Sequence, residues 1–293
     1  MKKRFDFTDK VMLVTGGAGG IGSELCRRFA SGGARCVVVD IDGVRAMKVA
    51  ADLPGAGHTG IGCDLMDRAQ VERLFEVVAE EHGRLDVLVN NVGMTSAERF
   101  DVRSVESIER EITLNLTSPL VATRIALPLL LASGDARVVT TVSLGGIFPL
   151  GETPIYTASK FGLRGAMLAI GLDLRNKGIL AGSVLPSATD TRMLRQEAVE
   201  GGNSMQFQDP PQRPSDVVAA VVSLLDKPRL ETYPRPGESR LVRFAMLMPN
   251  LLPRVLPLFS KRGDRGMARY LEELRRRGLV RRTEGRWELV EEA

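Results

Sequence analysis

Thr15-Gly16-Gly17-Ala18-Gly19-Gly20-Ile21-Gly22 stands between the apolar run Val11–Thr15 and a stretch with helical periodicity. Strand, glycine turn and helix in that order build an anion site. A pyrophosphate must approach backbone N–H groups at a helix N-terminus, and side chains on the turn would hold it away. Gly16, Gly20 and Gly22 are the members the turn needs most, with Ile21 beside them. A glycine-rich turn alone is weak evidence. Its place between a strand and a helix makes a dinucleotide site the expectation.

Working outward, short β-branched apolar runs recur over 11–15, 36–40, 58–63, 87–90, 137–142 and 180–185. Runs apolar on both faces suit strands buried on both faces. Helical stretches lie between them, over 22–31, 67–82, 104–132 and 156–176. Asp67 is placed to cap the second and Gly83 to end it. In the third, Pro119 predicts a kink followed by continuation. The alternation predicts an α/β fold: a doubly wound, Rossmann-like parallel sheet with helices on both faces. The expected body spans 1–238 and binds the dinucleotide. Within it 187–214, interrupted by Gly201-Gly202 and Pro210-Pro211, reads as a long loop able to act as a substrate lid. Residues 239–293 form a C-terminal extension.

Asp40 ends the second run, where an acidic side chain meets the adenosine ribose. It would accept bonds from both ribose hydroxyls and repel a 2′-phosphate, which predicts NAD over NADP. Asp42 competes for the role, and Arg45 would soften the preference. Asp64 and Leu65 end the third run. They suit either contact with the adenine, Leu65 backing the ring, or a helix cap.

Tyr156 and Lys160 are four residues apart on one helical face. A phenol titrates near pH ~10 in water and is a poor base at neutral pH. A neighbouring ammonium and a cationic nicotinamide would favour the phenolate. Ser143 ends the fifth run, and strand ends of a parallel sheet point into the ligand crevice. The Tyr–Lys spacing alone occurs by chance on many helices. Its weight comes from the combination with Ser143, the glycine turn and Asp40.

In that combination the sequence resembles the short-chain dehydrogenase/reductase family over roughly residues 8–235. The family's glycine motif matches Thr15, Gly16, Gly20 and Gly22. Asn90-Asn91-Val92-Gly93 stands for its Asn-Asn-Ala-Gly motif, and Pro186-Ser187-Ala188-Thr189-Asp190-Thr191 for its Pro-Gly-x-x-x-Thr segment. Val92 and Ser187 depart from those patterns. The resemblance implies a catalytic tetrad of Asn115, Ser143, Tyr156 and Lys160, with Tyr156 as general acid/base. Ser143 would orient the substrate oxygen, Lys160 would tune the phenol and hold the ribose, and Asn115 would position a backbone kink or a proton-relay water. It further implies Asn91, Gly93, Pro186, Thr189 and Thr191 at the cofactor, and a homodimer or homotetramer. The expected activity interconverts a secondary alcohol and a ketone. Leu144, Ile147, Phe148, Pro149, Leu150, Met193, Leu194, Met205 and Phe207 are the apolar candidates for the substrate wall, which favours a lipophilic substrate over a polyol.

Charge excludes some partners. The net charge is +4. From Arg240 onward there are 13 Lys/Arg and 7 Asp/Glu, so the preceding 239 residues carry a net −2. A basic tail on an acidic body argues against nucleic-acid binding by the body. Cys26, Cys36 and Cys63 lack metal or redox spacing and read as buried thiols, which fits a reducing cytoplasm. Met1-Lys2-Lys3-Arg4 is basic, but Asp6, Asp9 and Lys10 deny it a signal-peptide core. No run of about 18 residues is free of charge and proline, so no spanning helix is expected.

Residues 241–260 are apolar with sparse arginines and no carboxylate. One reading is contact with a membrane surface or a lipid substrate. The other is packing over the substrate site or against a second subunit, which the prolines favour because they break a long amphipathic face. A basic helix over 268–277 and a hairpin around Glu284-Gly285 follow; helix plus wing is too common to imply DNA binding. Two rival functions stand beside the enzyme: a non-catalytic dinucleotide-sensing protein, and a peripheral membrane protein acting through its tail.

Overall fold

The computed structural model describes residues 4–290; the basic start Met1–Lys3 and the last three residues lie outside the described residues. Seven parallel strands form one sheet: β1 (Val11–Thr15), β2 (Arg35–Asp40), β3 (Thr59–Gly62), β4 (Val87–Asn90), β5 (Arg137–Thr141), β6 (Leu180–Val184) and β7 (Glu231–Thr232). Their order is β3-β2-β1-β4-β5-β6-β7. The chain therefore reverses its winding between β1 and β4, and a crevice opens there beyond the strand ends. Val14, Val38 and Val89 are fully buried under one face; Leu13, Leu88 and Val138 are fully buried under the other. Each such side chain contributes about 1.5–3 kcal/mol by leaving water, which is why the strands read as continuous apolar runs.

The helices follow the sequence expectation with instructive differences. α1 (Gly20–Ala30) starts inside the glycine turn. α2 (Gly43–Ala51) was not expected; Asp42 caps it by accepting from the Arg45 N–H. α3 (Arg68–His82) is capped by Asp67 and ends on Gly83 at φ 67°. The long third helix is built in three parts. It runs as α4 (Val105–Ile112), a π-helical turn Thr113–Thr117, and α5 (Ser118–Ser133). Pro119 sits in the first turn of α5, and the wider π turn before it absorbs the missing hydrogen bond without a break. The segment Val105–Ser133 is long and apolar enough to cross a membrane by length and composition alone, with Pro119, Arg124 and Pro128 interrupting it. In this fold it is a core helix, with Ala122, Ala126 and Leu130 packed on the sheet. α6 (Pro154–Asp173) and α8 (Pro214–Asp226) complete the layers. The three cysteines are buried and free.

The segment 187–214 and the tail differ most from expectation. The former is not a bare loop: it holds α7 (Arg192–Val199) and a 3-10 turn at Ser204–Phe207. The tail forms α9 (Pro236–Ala245), α10 (Leu252–Arg276) and a hairpin of β8 (Val280–Thr283) and β9 (Arg286–Leu289). Pro236 and Pro253 open helices instead of breaking them, a position where no N–H is missed. Segment 187–214 and the tail share a core built from Leu194, Phe207, Tyr270, Leu271, Leu274 and Val280. Asp190 pins them together, accepting from Arg195, from the Tyr270 hydroxyl at 2.7 Å and from Arg277 at 2.7 Å. Gly263 and Gly266 let α10 press on the 3-10 turn: a Cβ at Gly266 would stand 1.9 Å from the Phe207 carbonyl oxygen. The helix therefore needs both glycines, residues that ordinarily argue against a helix.

Candidate active site

The glycine turn closes by backbone contact. Gly16 holds φ 63°. A Cβ on Gly22 would meet the Gly16 carbonyl oxygen at 2.0 Å, so Gly22 acts by letting α1 pack on the turn. Gly16, Gly20 and Ile21 line a cavity of about 700 Å³ that runs along the strand ends. The same cavity is lined by Asp40, Asp64, Leu65, Asn91, Gly93, Ser143, Tyr156, Lys160, Pro186, Thr189 and Thr191. Sequence separation of up to 175 residues thus closes on one crevice. Gly22 and Asn115 do not line it.

Of the two candidate carboxylates, Asp40 lines the cavity and Asp42 does not. Asp40 faces the cavity and accepts from the Ala18 N–H at 3.1 Å, while Asp42 is spent on the α2 cap. Arg45 also reaches the cavity and donates to the Ala18 carbonyl at 3.1 Å. Asp64 does not cap α3; its carboxylate accepts from the Met66 N–H in the turn that Asp67 then caps. Thr15 ties strand ends β1 and β4 by accepting from the N–H groups of Asn91 and Val92. Thr191 caps α7, with its hydroxyl accepting from the Leu194 N–H.

Asn115 is fully buried in the π turn. Its side chain accepts from the Met94 N–H and donates to the Met94 carbonyl, both at 2.8 Å, and donates to the Ser159 hydroxyl at 3.1 Å. That double bond clamps the chain leaving β4. A Cβ on Gly93 would sit 3.3 Å from Lys160 Nζ and 3.5 Å from Asn115 Oδ1, so the bare backbone there makes room for both.

Lys160, almost fully buried, donates to the Thr141 carbonyl at 3.4 Å, and its Nζ lies 5.7 Å from the centre of the Tyr156 ring. Burial brings its pKa down to about 8, opposed by the Glu111 carboxylate. The Ser143 oxygen accepts from the Gly145 N–H at 3.0 Å, and its hydroxyl lies close enough to the Tyr156 phenol to hold that group's pKa down. The expected lowering of the phenol does not come from the protein's own groups. Burial carries Tyr156 up to about 12, Ser143 opposes it, and the carboxylates of Glu197 and Glu111 reinforce it. A low-dielectric wall disfavours the phenolate, and of the groups around it only Ser143 pulls the other way.

Glu197 escaped the sequence reading. It stands on α7, lines the cavity and is 5% exposed. Its carboxylate accepts from the Gln206 amide at 2.5 Å, and burial raises its pKa to about 7. No local pattern marks a carboxyl that is buried only because segment 187–214 and the tail fold over it. Because its pKa lies above the unfolded value, the folded state holds the proton more tightly. Stability is therefore lost as pH rises from about 4.5 through about 7. Glu197→Gln is expected to raise stability by on the order of 2 kcal/mol at pH ~8 and by little at pH ~4. Thermal melts at both values check it, and an equal Tm difference at both would refute it.

The apolar wall agrees with the sequence at Leu144, Phe148, Leu150, Met193, Leu194 and Met205. Ile147 and Phe207 instead belong to hydrophobic cores, and Pro149 is not on the wall. The tail lies over the cavity, in line with the packing reading of 241–260: Leu241, Val242 and Ala245 of α9 and Leu252, Val255, Leu256 and Phe259 of α10 supply further apolar wall.

Residues 10–200 match the family described as short chain dehydrogenase. The chain belongs to that family. It is an oxidoreductase acting on a CH–OH group with NAD or NADP as acceptor. The chain is 31% identical to D-threitol dehydrogenase of Mycolicibacterium smegmatis, over 75% of this chain and 88% of that protein. It is 33% identical to 3beta-hydroxysteroid dehydrogenase of Mediterraneibacter gnavus, over 66% and 71%. The fold is shared with a short chain dehydrogenase/reductase from Burkholderia phymatum solved in complex with NAD, at TM-score 0.77 and 23% identity, covering 84% of this chain and 96% of that one. These short chain dehydrogenases act on substrates as different as a polyol and a sterol, so the family leaves the substrate open.

Proposed function

We propose that this enzyme uses NAD to interconvert a lipophilic secondary alcohol and its ketone, with Tyr156 as the proton-transfer group. The observation that carries the reading is the meeting of Ser143, Tyr156 and Lys160 in the crevice that also holds the glycine turn and Asp40. The glycines fit a dinucleotide, since a Cβ on Gly20 would stand 3.3 Å from Thr191 and narrow the crevice. Bound there, the nicotinamide supplies hydride exchange with the carbinol carbon. Ser143 holds the substrate oxygen against the phenol. Tyr156 gives or takes the hydroxyl proton at that oxygen. Lys160 stands beside the Tyr156 ring, and Asn115 acts at one remove by fixing Met94. The apolar wall completed by α9 and α10 supports a lipophilic substrate.

A panel of lipophilic secondary alcohols and polyols, followed at the absorbance of the reduced nicotinamide, tests the proposal. Turnover of the lipophilic members is the expected result; turnover of polyols alone would overturn the substrate class. Asp40 supports NAD, because a carboxylate beside the ribose repels a 2′-phosphate. Asp40→Ala is expected to reduce the NAD-over-NADP ratio of kcat/KM by about tenfold. An unchanged ratio would move the discrimination to another residue.

A further inference from the structure

The tail has two apolar sides, and the cavity accounts for one of them. Leu241, Phe244, Leu247, Met248, Leu251 and Leu258 are 40–77% exposed, clustered on the elbow where α9 and the helical stretch from Pro249 bend by 88°. An apolar cluster of this density on a surface marks a place of contact. Charge says with what. From Ser239 to Gly263 there are five basic residues and no acidic one. Arg240, Arg254 and Lys261 make no ion pair among the described residues. Pairing this face with its own copy about a twofold axis would set those cations against one another with no carboxylate of that stretch to offset them, while the neighbouring Asp209 is already paired with Arg262. A surface of phosphate headgroups over acyl chains complements both features at once.

We propose that the elbow of α9 and the first half of α10 docks on an anionic phospholipid membrane, apolar tip among the acyl chains and cations at the headgroups. Leu241, Val255 and Phe259 are both exposed and part of the cavity wall, so they form its rim. Docking therefore sets the mouth of the catalytic cavity against the lipid. The binding claim is independent of the hydride chemistry and is tested without it.

The full chain is sedimented with vesicles of phosphatidylcholine containing phosphatidylglycerol, and with pure phosphatidylcholine vesicles. It is expected to pellet with the former, less with the latter, and less at high salt. Leu247→Glu/Leu258→Glu, two residues outside the cavity wall, is expected to weaken partitioning by about tenfold or more. NADH binding, read by its fluorescence, is expected to be unchanged in that variant and reports that the fold is intact. Failure of the wild type to pellet with anionic vesicles overturns the proposal. So does equal pelleting of wild type and an intact variant. A sedimentation-velocity result in which the wild type is a dimer, the variant a monomer and neither binds vesicles assigns the face to a second copy instead.

Discussion

Replacing Tyr156 by Phe is expected to cut turnover by about a thousandfold while leaving NADH affinity within a few fold of wild type. The ring stays, so the cavity wall and the neighbouring Lys160 keep their packing; only the proton-bearing oxygen is lost. The protein's own electrostatics sharpen this expectation. With the phenol carried up to about 12 by burial, Tyr156 is neutral at physiological pH and is a proton donor, the form that carbonyl reduction needs. Alcohol oxidation needs the phenolate, and a cationic nicotinamide opposes the burial that disfavours it. The loss is therefore expected in both directions, with the oxidative rate of the wild type rising with pH and the residual rate of the variant losing that dependence. Stopped-flow turnover against pH with fluorescence titration of NADH measures both. Turnover within tenfold of wild type would remove the phenol from the chemistry.

The parts of this design that are local in sequence were legible in it. Five of the seven sheet strands declare themselves because a strand buried on both faces has no room for polar alternation; β3 is a half-exposed edge strand, and β7 is two residues long and has no pattern to read. Ser143, Tyr156 and Lys160 are legible because a strand end and one turn of helix fix their spacing. Asn115 was identified only through family resemblance, since a buried asparagine in a π turn looks like any polar residue on a helix. α10 is half hidden: Pro253 and Pro257 read as breakers, and only the backbone of the 3-10 turn at Ser204–Phe207 explains why glycine stands at 263 and 266. The tail's part in the cavity puts Leu256 and Phe259 on one wall with Met193 and Leu194, residues far apart in the chain. No window along the sequence contains them.

The other large effect lies behind the site, at a pair of charges with no water to soften them. Arg103 and Glu111 meet at 2.6 Å with side chains 1% and 0% exposed. Arg103 also donates to the hydroxyl and carbonyl of Ser107. Arg103→Met is expected to cost about 3–5 kcal/mol, since it strands a carboxylate in the interior. Burial already holds the Glu111 pKa above its usual value, and Arg103 is the main group pulling it down. Without Arg103 it rises further, so the folded variant keeps the proton that the unfolded chain gives up. The deficit is then small below the ordinary carboxylate range and grows as pH rises through it. Denaturant unfolding at about pH 5 and about pH 8 is expected to show the larger loss at the higher value. Arg103→Met/Glu111→Leu is expected to recover most of the stability, because an apolar pair carries no desolvation cost. A double variant as unstable as the single one would mean that the hydrogen bonds to Ser107, not the charge pair, hold this corner. The recovery has a chemical consequence as well. Glu111 is the group that supports the ammonium of Lys160 against burial, so the stable double variant is expected to titrate Lys160 at lower pH. A kcat/KM profile displaced toward acid in a fully folded protein would tie this buried pair to the proton chemistry at Tyr156; an unmoved profile would confine it to stability.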